Sequence, residues 1–216
     1  MTTSAGAAST RRAAPADFEK SAGRGPKPTA AGPVPLAARK LDWLFIGFFL
    51  INLFFITYIV DIEQLTIADS TPGKFAYPLW PPAAMVDLVH WWGRNFDPAL
   101  MARPVWWRAT IWIDAVFFGP YYAVALYAFI KGRQFIRLPS LVWASVMMTN
   151  VTIILFEEMI GPHATPARGL VLLVNAPWFL FPLLMLWRMG GTKPPFAPRG
   201  ERSETAETSV AGGAVL

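Results

Sequence analysis

The sequence predicts an all-α integral membrane protein: a four-helix bundle with a long amphipathic first loop and both termini in the cytoplasm. Three observations carry this. Of the 216 residues 54% are hydrophobic and 14% aromatic, ten of them tryptophan, and the mean hydropathy of +0.38 exceeds what a soluble domain of this length needs. Four apolar runs, Trp43 to Val60, about 110–130, about 138–156 and about 170–187, each approach the ~20 residues with which an α-helix crosses ~30 Å of hydrocarbon. Basic residues then fix the orientation. Arg39 and Lys40 precede the first run, Lys131, Arg133 and Arg137 separate the second from the third, and Arg188, Lys193, Arg199 and Arg202 follow the fourth. The third loop, Glu157 to Arg168, instead holds two acids and one base, so the positive-inside rule puts both ends of the chain in the cytoplasm.

Composition also excludes. With no cysteine there is neither a disulfide framework nor a thiolate metal site, and two histidines leave little for other metal chemistry. No metal and no cofactor are expected. The net charge of +5 lies mostly in the tails, where it suits an anionic membrane surface better than nucleic acid.

Residues 1–38 are rich in Ala, Pro, Gly, Ser and Thr, with scattered bases and no apolar period, and are expected to be a disordered cytoplasmic tail. That tail lacks the apolar core of a secretory signal, so the first span is expected to do the targeting. This span is uncharged from Trp43 to Val60 and ends in Asp61. If the helix stops there, Asp61 is an interfacial cap; if it continues, the acid enters the bundle. Asn52, near mid-span, reads as a helix–helix hydrogen-bonding residue.

The first loop, 62–108, is too long for a tight connection and too apolar for a solvated one. Pro78, Pro81 and Pro82 break it, and Ala83 to Asn95 reads as a short amphipathic helix with Asp87, His90 and Arg94 near one face. Trp80, Trp91, Trp92, Trp106 and Trp107 place it in the headgroup layer, as a lid on the bundle.

The second span holds Asp114. An acid at mid-bilayer costs roughly 2.5–3.5 kcal/mol on insertion scales and is functional by default, the alternative being a buried hydrogen bond that only fixes packing. At helical spacing Asp114 shares a face with Phe117, Phe118, Tyr121 and Tyr122, an apolar wall carrying one acid. Glu157 and Glu158 close the third span beside Gly161-Pro162 and read as a wet helix end; His90 and His163 read as solvated loop histidines. In the fourth span Asn175 and Trp178 are three apart and can line one wall, while Pro177 and Pro182 free backbone carbonyls and kink the helix. The alternative is an interfacial tryptophan with tolerated prolines. Residues 189–216 read as a second disordered tail, leaving 39–188 as the membrane domain.

Taken together, Arg39-Lys40-Leu41-Asp42-Trp43-Leu44, the first span ending in Asp61, Phe96-Asp97-Pro98, Trp107 to Asp114, Tyr127-Ala128-Phe129, Phe156-Glu157 and Asn175-Ala176-Pro177-Trp178 with Pro182 resemble the EXPERA family. The family includes the sigma-2 receptor and the emopamil-binding protein, a sterol isomerase. The resemblance implies that Asp61 and Asp114 face a ligand cavity, as in the receptor, and that the loop acid Asp97 is structural. It also implies that Asn175 and Trp178 line a catalytic pocket, as in the isomerase, with the indole facing a cationic intermediate. The isomerase's first-span histidine has no counterpart, the nearest positions being Thr57 and Asn52, and its second-span glutamate is displaced by a turn to Asp114.

Two functions follow. In the first, a proton-transfer isomerase or cyclase acts on a sterol- or terpenoid-like alkene: Asp114 and Asp61 share the acid and base roles, Asn175 orients one of them, and Trp178 stabilises the cation. Phe117, Phe118, Tyr121 and Asn52 would then hold the substrate. In the second, the same acids bind a sterol or an amphiphilic amine without turnover. The Asn175–Trp178 pair tilts the reading toward the enzyme. The expected partners are a lipophilic small molecule, membrane lipid and a second copy in a homodimer.

Overall fold

The computed structural model describes residues 32–198, which form one folded unit. Its helices are α1 (Lys40–Thr66), α2 (Ala83–Phe96), α3 (Pro98–Ala102), α4 (Val105–Lys131), α5 (Arg137–Ile160) and α6 (Arg168–Gly190). Four of them, α1, α4, α5 and α6, are long and apolar enough to cross a membrane. At 1.5 Å per residue the 27 residues of α1 run about 40 Å, and the 23 of α6 about 35 Å, past a ~30 Å hydrocarbon layer. The protein is an integral, multi-pass membrane protein built as a helical bundle.

Helix α1 does not stop at its acid. Nothing in Ile62-Glu63-Gln64-Leu65-Thr66 breaks a helix, and the chain leaves it at Ile67, ahead of the turn formers Asp69, Ser70, Thr71, Pro72 and Gly73. Asp61 is therefore inside the bundle, only 4% exposed. Pro81 and Pro82 set up the start of α2, the amphipathic helix expected in this loop. Asp97 caps α3: its Oδ1 accepts from the Leu100 N–H at 3.0 Å, with Pro98 in the first turn.

Helices α1 and α4 each widen into a π-helical stretch, Asn52–Asp61 and Asp114–Phe118. Such widening is rare and concentrates at functional sites. The two stretches meet, because Thr57 Oγ1 donates to Asp114 Oδ1 at 2.6 Å. Gly119 permits the approach: a Cβ there would lie 2.9 Å from Thr57 Cγ2.

Away from that meeting point the core is a continuous set of rings. Phe45 and Phe49 of α1, Phe118, Tyr122 and Phe129 of α4, and Trp143 of α5 are fully buried. Trp143 stacks on Tyr121 at 5.1 Å, and Phe48 stacks on Phe181 of α6 at 4.3 Å. Lipid supplies no hydrophobic drive between helices, so ring contacts, each about 0.5–1.5 kcal/mol, and close fit hold the bundle together. The expected aromatic wall around Asp114 belongs to this core instead. Phe118 and Tyr121 point into it, and Phe117 turns outward at 41% exposure. Ring contacts hold them there: Tyr121 stacks on Trp143, and Phe118 packs against Tyr122.

Beyond the rings lies a cluster of charges. Asp42 pairs with Arg39 and, at 3.2 Å, with Arg188, tying α1 to α6. Both guanidiniums stand over the Phe196 ring, at 5.0 and 5.4 Å. Phe196 is buried, and its carbonyl accepts from Val34 N–H, so packing extends a few residues past both ends of 39–188. The remainder of the two expected tails lies outside the described residues.

Candidate functional site

Toward the α2 end the four spans separate around a cavity of about 350 Å³, a volume typical of small-molecule sites. Its walls are Phe55, Val60 and Asp61 of α1, Val89 and Trp92 of α2, Thr110, Ile111 and Asp114 of α4, Asn150, Ile154 and Glu158 of α5, and Asn175 and Trp178 of α6. Helix α2 forms the lid. Phe55, Leu88, Trp91 and Val174 line the cavity while remaining 37–53% exposed, and so mark its open side.

Four carboxyls reach this cavity, in two pairs. Asp61 and Asp114 are in hydrogen-bonding contact with each other. Thr57 also donates to Asp114, whereas Asp61 Oδ2 is buried and meets no N–H or hydroxyl donor among the described residues. The second pair is Asp97 and Glu158, also in mutual contact, and Asn175 Nδ2 donates to Glu158 Oε2 at 3.3 Å. Burial pushes the Asp97 carboxyl above its ordinary value, opposed by the Leu100 N–H and by Glu158. Among the described residues no lysine, arginine or histidine lines the cavity. The remaining polar groups are amides and hydroxyls: Asn150 donates to the Thr110 carbonyl at 3.2 Å, and Gln64 accepts from Trp107 Nε1 at 2.6 Å. Among the described residues no three His, Cys, Asp or Glu side chains converge as a metal site.

The structure brings Asp61, Asp114, Asn175 and Trp178 to one space, with Asp97 at its edge. Asn52 stands behind the wall: its Oδ1 accepts from Trp178 Nε1 at 2.7 Å and its amide donates to Phe48 O, so it positions the indole and does not line the cavity. Phe117, Phe118 and Tyr121 do not line it either. Pro177 and Pro182 lie inside α6, which continues through both.

Glu158 is the main residue that sequence reading missed. It is 1% exposed, not a wet helix end. The signal was present in the period: Met147, Val151, Ile154 and Glu158 follow i, i+4, i+7, i+11, one helical face, whereas Glu157 falls off it and folds back to accept from His163 N and pair with its Nδ1. His90 was missed as well. It is 1% exposed on α2, and Glu63 Oε1 lies 2.7 Å from its Nε2. Arg103 contacts both Glu63 oxygens at 2.8 Å, and Arg94 stands 3.3 Å from His90 Nδ1. This buried cluster fastens the lid to the end of α1 and to the chain after α3.

Comparison with known proteins agrees with this architecture. The family model described as EXPERA (EXPanded EBP superfamily) matches residues 84–189. Sigma intracellular receptor 2 of Xenopus tropicalis is 30% identical over 180 residues, covering 78% of this chain and 96% of the relative. The proteins of the same name from Macaca fascicularis and Homo sapiens are 27% and 26% identical over 71% and 70% of this chain, and over 89% and 88% of their own lengths. With the motifs of α1, α4 and α6 gathered around one membrane cavity, the chain belongs to the EXPERA family.

Proposed function

We propose that the protein binds a lipophilic molecule of the sterol or amphiphilic-amine kind, its apolar body against the tryptophan-rich wall and its polar end on Asp61. The observation that carries this is the Asp61–Asp114 pair in a cavity without a basic residue. The buried Asp61 Oδ2, which meets no N–H or hydroxyl donor among the described residues, is complementary to a hydroxyl or ammonium supplied by a ligand. The names of the relatives, receptors by description, favour the same reading. Both termini are proposed to face the cytoplasm, on the distribution of basic residues.

A second reading is supported by the same pair. Two carboxyls in mutual hydrogen-bond contact hold a proton between them, and Trp178 lies on the same wall, so an alkene bound there has a proton source and a π-surface for a cation. That makes proton-transfer isomerisation or cyclisation the catalytic alternative.

One experiment separates the two. Wild type and Asp114→Asn are expressed in a host grown in deuterated water, supplied with sterols, terpenoids and lipophilic amines, and the co-purifying and total lipids are compared by mass spectrometry. Binding predicts a lipid that co-purifies unchanged with the wild type and is lost from the variant. A rearranged, deuterium-bearing product absent from the variant overturns binding without turnover and selects the enzyme.

A further inference from the structure

The cavity carries two acid pairs, and only one of them is used by the reading above. The two lie at different depths. Asn150 of α5 donates to Thr110 O of α4, and Tyr121 OH of α4 donates to Ser140 of α5, so these helices run antiparallel. Thr57 of α1 bonds Asp114 and Gln64 bonds Trp107, so Asp61 between them is level with Thr110 and hence with Asn150. From Asn150 to Glu158 is eight residues of continuous helix, about 12 Å at 1.5 Å each. Both ends of that length open on the same cavity.

At the near end Asp61 Oδ2 is buried beside Asp114 and meets no N–H or hydroxyl donor among the described residues, which points to a donor brought by the ligand. At the far end Glu158 has the Asn175 amide at a long 3.3 Å, and its other neighbour is a second acid, Asp97. Between the ends the wall is mostly aromatic and aliphatic, and its Gln64 amide oxygen is already engaged by the Trp107 indole. A molecule filling this space meets carboxyl oxygens at both extremities and apolar surface along its middle.

We propose that Glu158, with Asp97 and Asn175, forms a second polar subsite about 12 Å along the bundle from Asp61, so that the cavity selects elongated lipophiles bearing a hydrogen-bond donor or ammonium at each end. The inference rests on the ligand-binding reading of the cavity and adds its specificity. A molecule with one polar end satisfies Asp61 alone; a bifunctional one also gives Glu158 a donor.

The test uses the purified full chain in lipid nanodiscs, with nonylamine and 1,9-diaminononane as probes and calorimetry as the readout. The diamine is expected to bind about tenfold more tightly than the monoamine, the equivalent of 1.4 kcal/mol, and Glu158→Gln to bring the two to equal affinity. Should that variant fail to fold, wild type alone still decides: in a series of diamines from about six to about fourteen carbons, the advantage over the matched monoamine peaks near nine. A diamine no better than the monoamine at every length overturns the second subsite while leaving binding at Asp61 standing. If neither amine binds wild type, or Asp61→Asn binds nonylamine as wild type does, the ligand reading itself fails.

Discussion

At one end of the bundle Asp42 lies between Arg39 and Arg188; at the other, Asp61 faces Asp114 and Asp97 faces Glu158. Both ends bury carboxyls, yet around Asp42 the rings of Phe45, Phe129 and Phe196 close up, while around Asp61 the helices part. The difference is in the partners. An acid set between bases has its hydrogen-bonding capacity met inside the protein and ties helices together. An acid set against an acid leaves capacity unmet, and space beside it. Buried charge alone is therefore a poor marker of a site, and the sign of its neighbour is the better one.

The largest effect that breaks this contrast is expected at the packed end. Asp42→Asn leaves two guanidiniums without their carboxylate and should destabilise the fold by about 3–5 kcal/mol, measured by thermal or denaturant unfolding in detergent, with ligand affinity of the folded fraction retained. A variant as stable as wild type would mean that this cluster does not tie α1 to α6. Asp61→Asn should do the reverse: about 2 kcal/mol or more of affinity lost for an amine probe, read by calorimetry, with unfolding nearly unchanged. Equal losses of stability at both positions would erase the distinction between the ends.

Smaller effects sharpen it. Gly119→Ala forces a methyl against Thr57 and should cost about 1–3 kcal/mol of stability, with affinity falling too, because the contact that sets Asp114 is displaced. Trp178→Phe removes the indole N–H from Asn52 and should lower stability by about 1 kcal/mol. The least effect concerns Asp97. Its folded-state pKa is raised by burial, so the folded state holds a proton that the unfolded chain releases, and stability falls as the pH rises above the ordinary carboxylate range. Asp97→Asn, which keeps an acceptor for Leu100 N–H, should flatten that slope in unfolding curves taken from pH 4 to 7; a steeper slope would reverse the assignment.

Much of this was legible in the chain. Length and hydropathy of the apolar runs located all four spans, and proline and tryptophan placement located α2, because membrane insertion depends on composition that single residues display. Asp114, Asn175 and Trp178 stood out as polar or amphipathic groups in apolar runs. The rest depended on rotation and on distant partners. Whether Phe118 or Asp114 faces the cavity depends on which distant side chains each packs against, which no local residue preference announces. Glu158 and His90 sit where a helix end or a loop normally meets water, and only the folding of residues 67–104 over the bundle takes them out of it.

That same covering segment carries a kinetic consequence. The lid is held by Glu63, His90 and Arg103, all nearly inaccessible to water, so bulk salt screens their attraction weakly. Parting Arg103 from Glu63 strands two charges in a dry place, which disfavours a half-raised lid. The lid is therefore expected to stay closed as a unit, leaving the side marked by Phe55, Leu88, Trp91 and Val174 as the route by which a molecule enters and leaves. Three residues that never touch a ligand thus decide from which direction it comes.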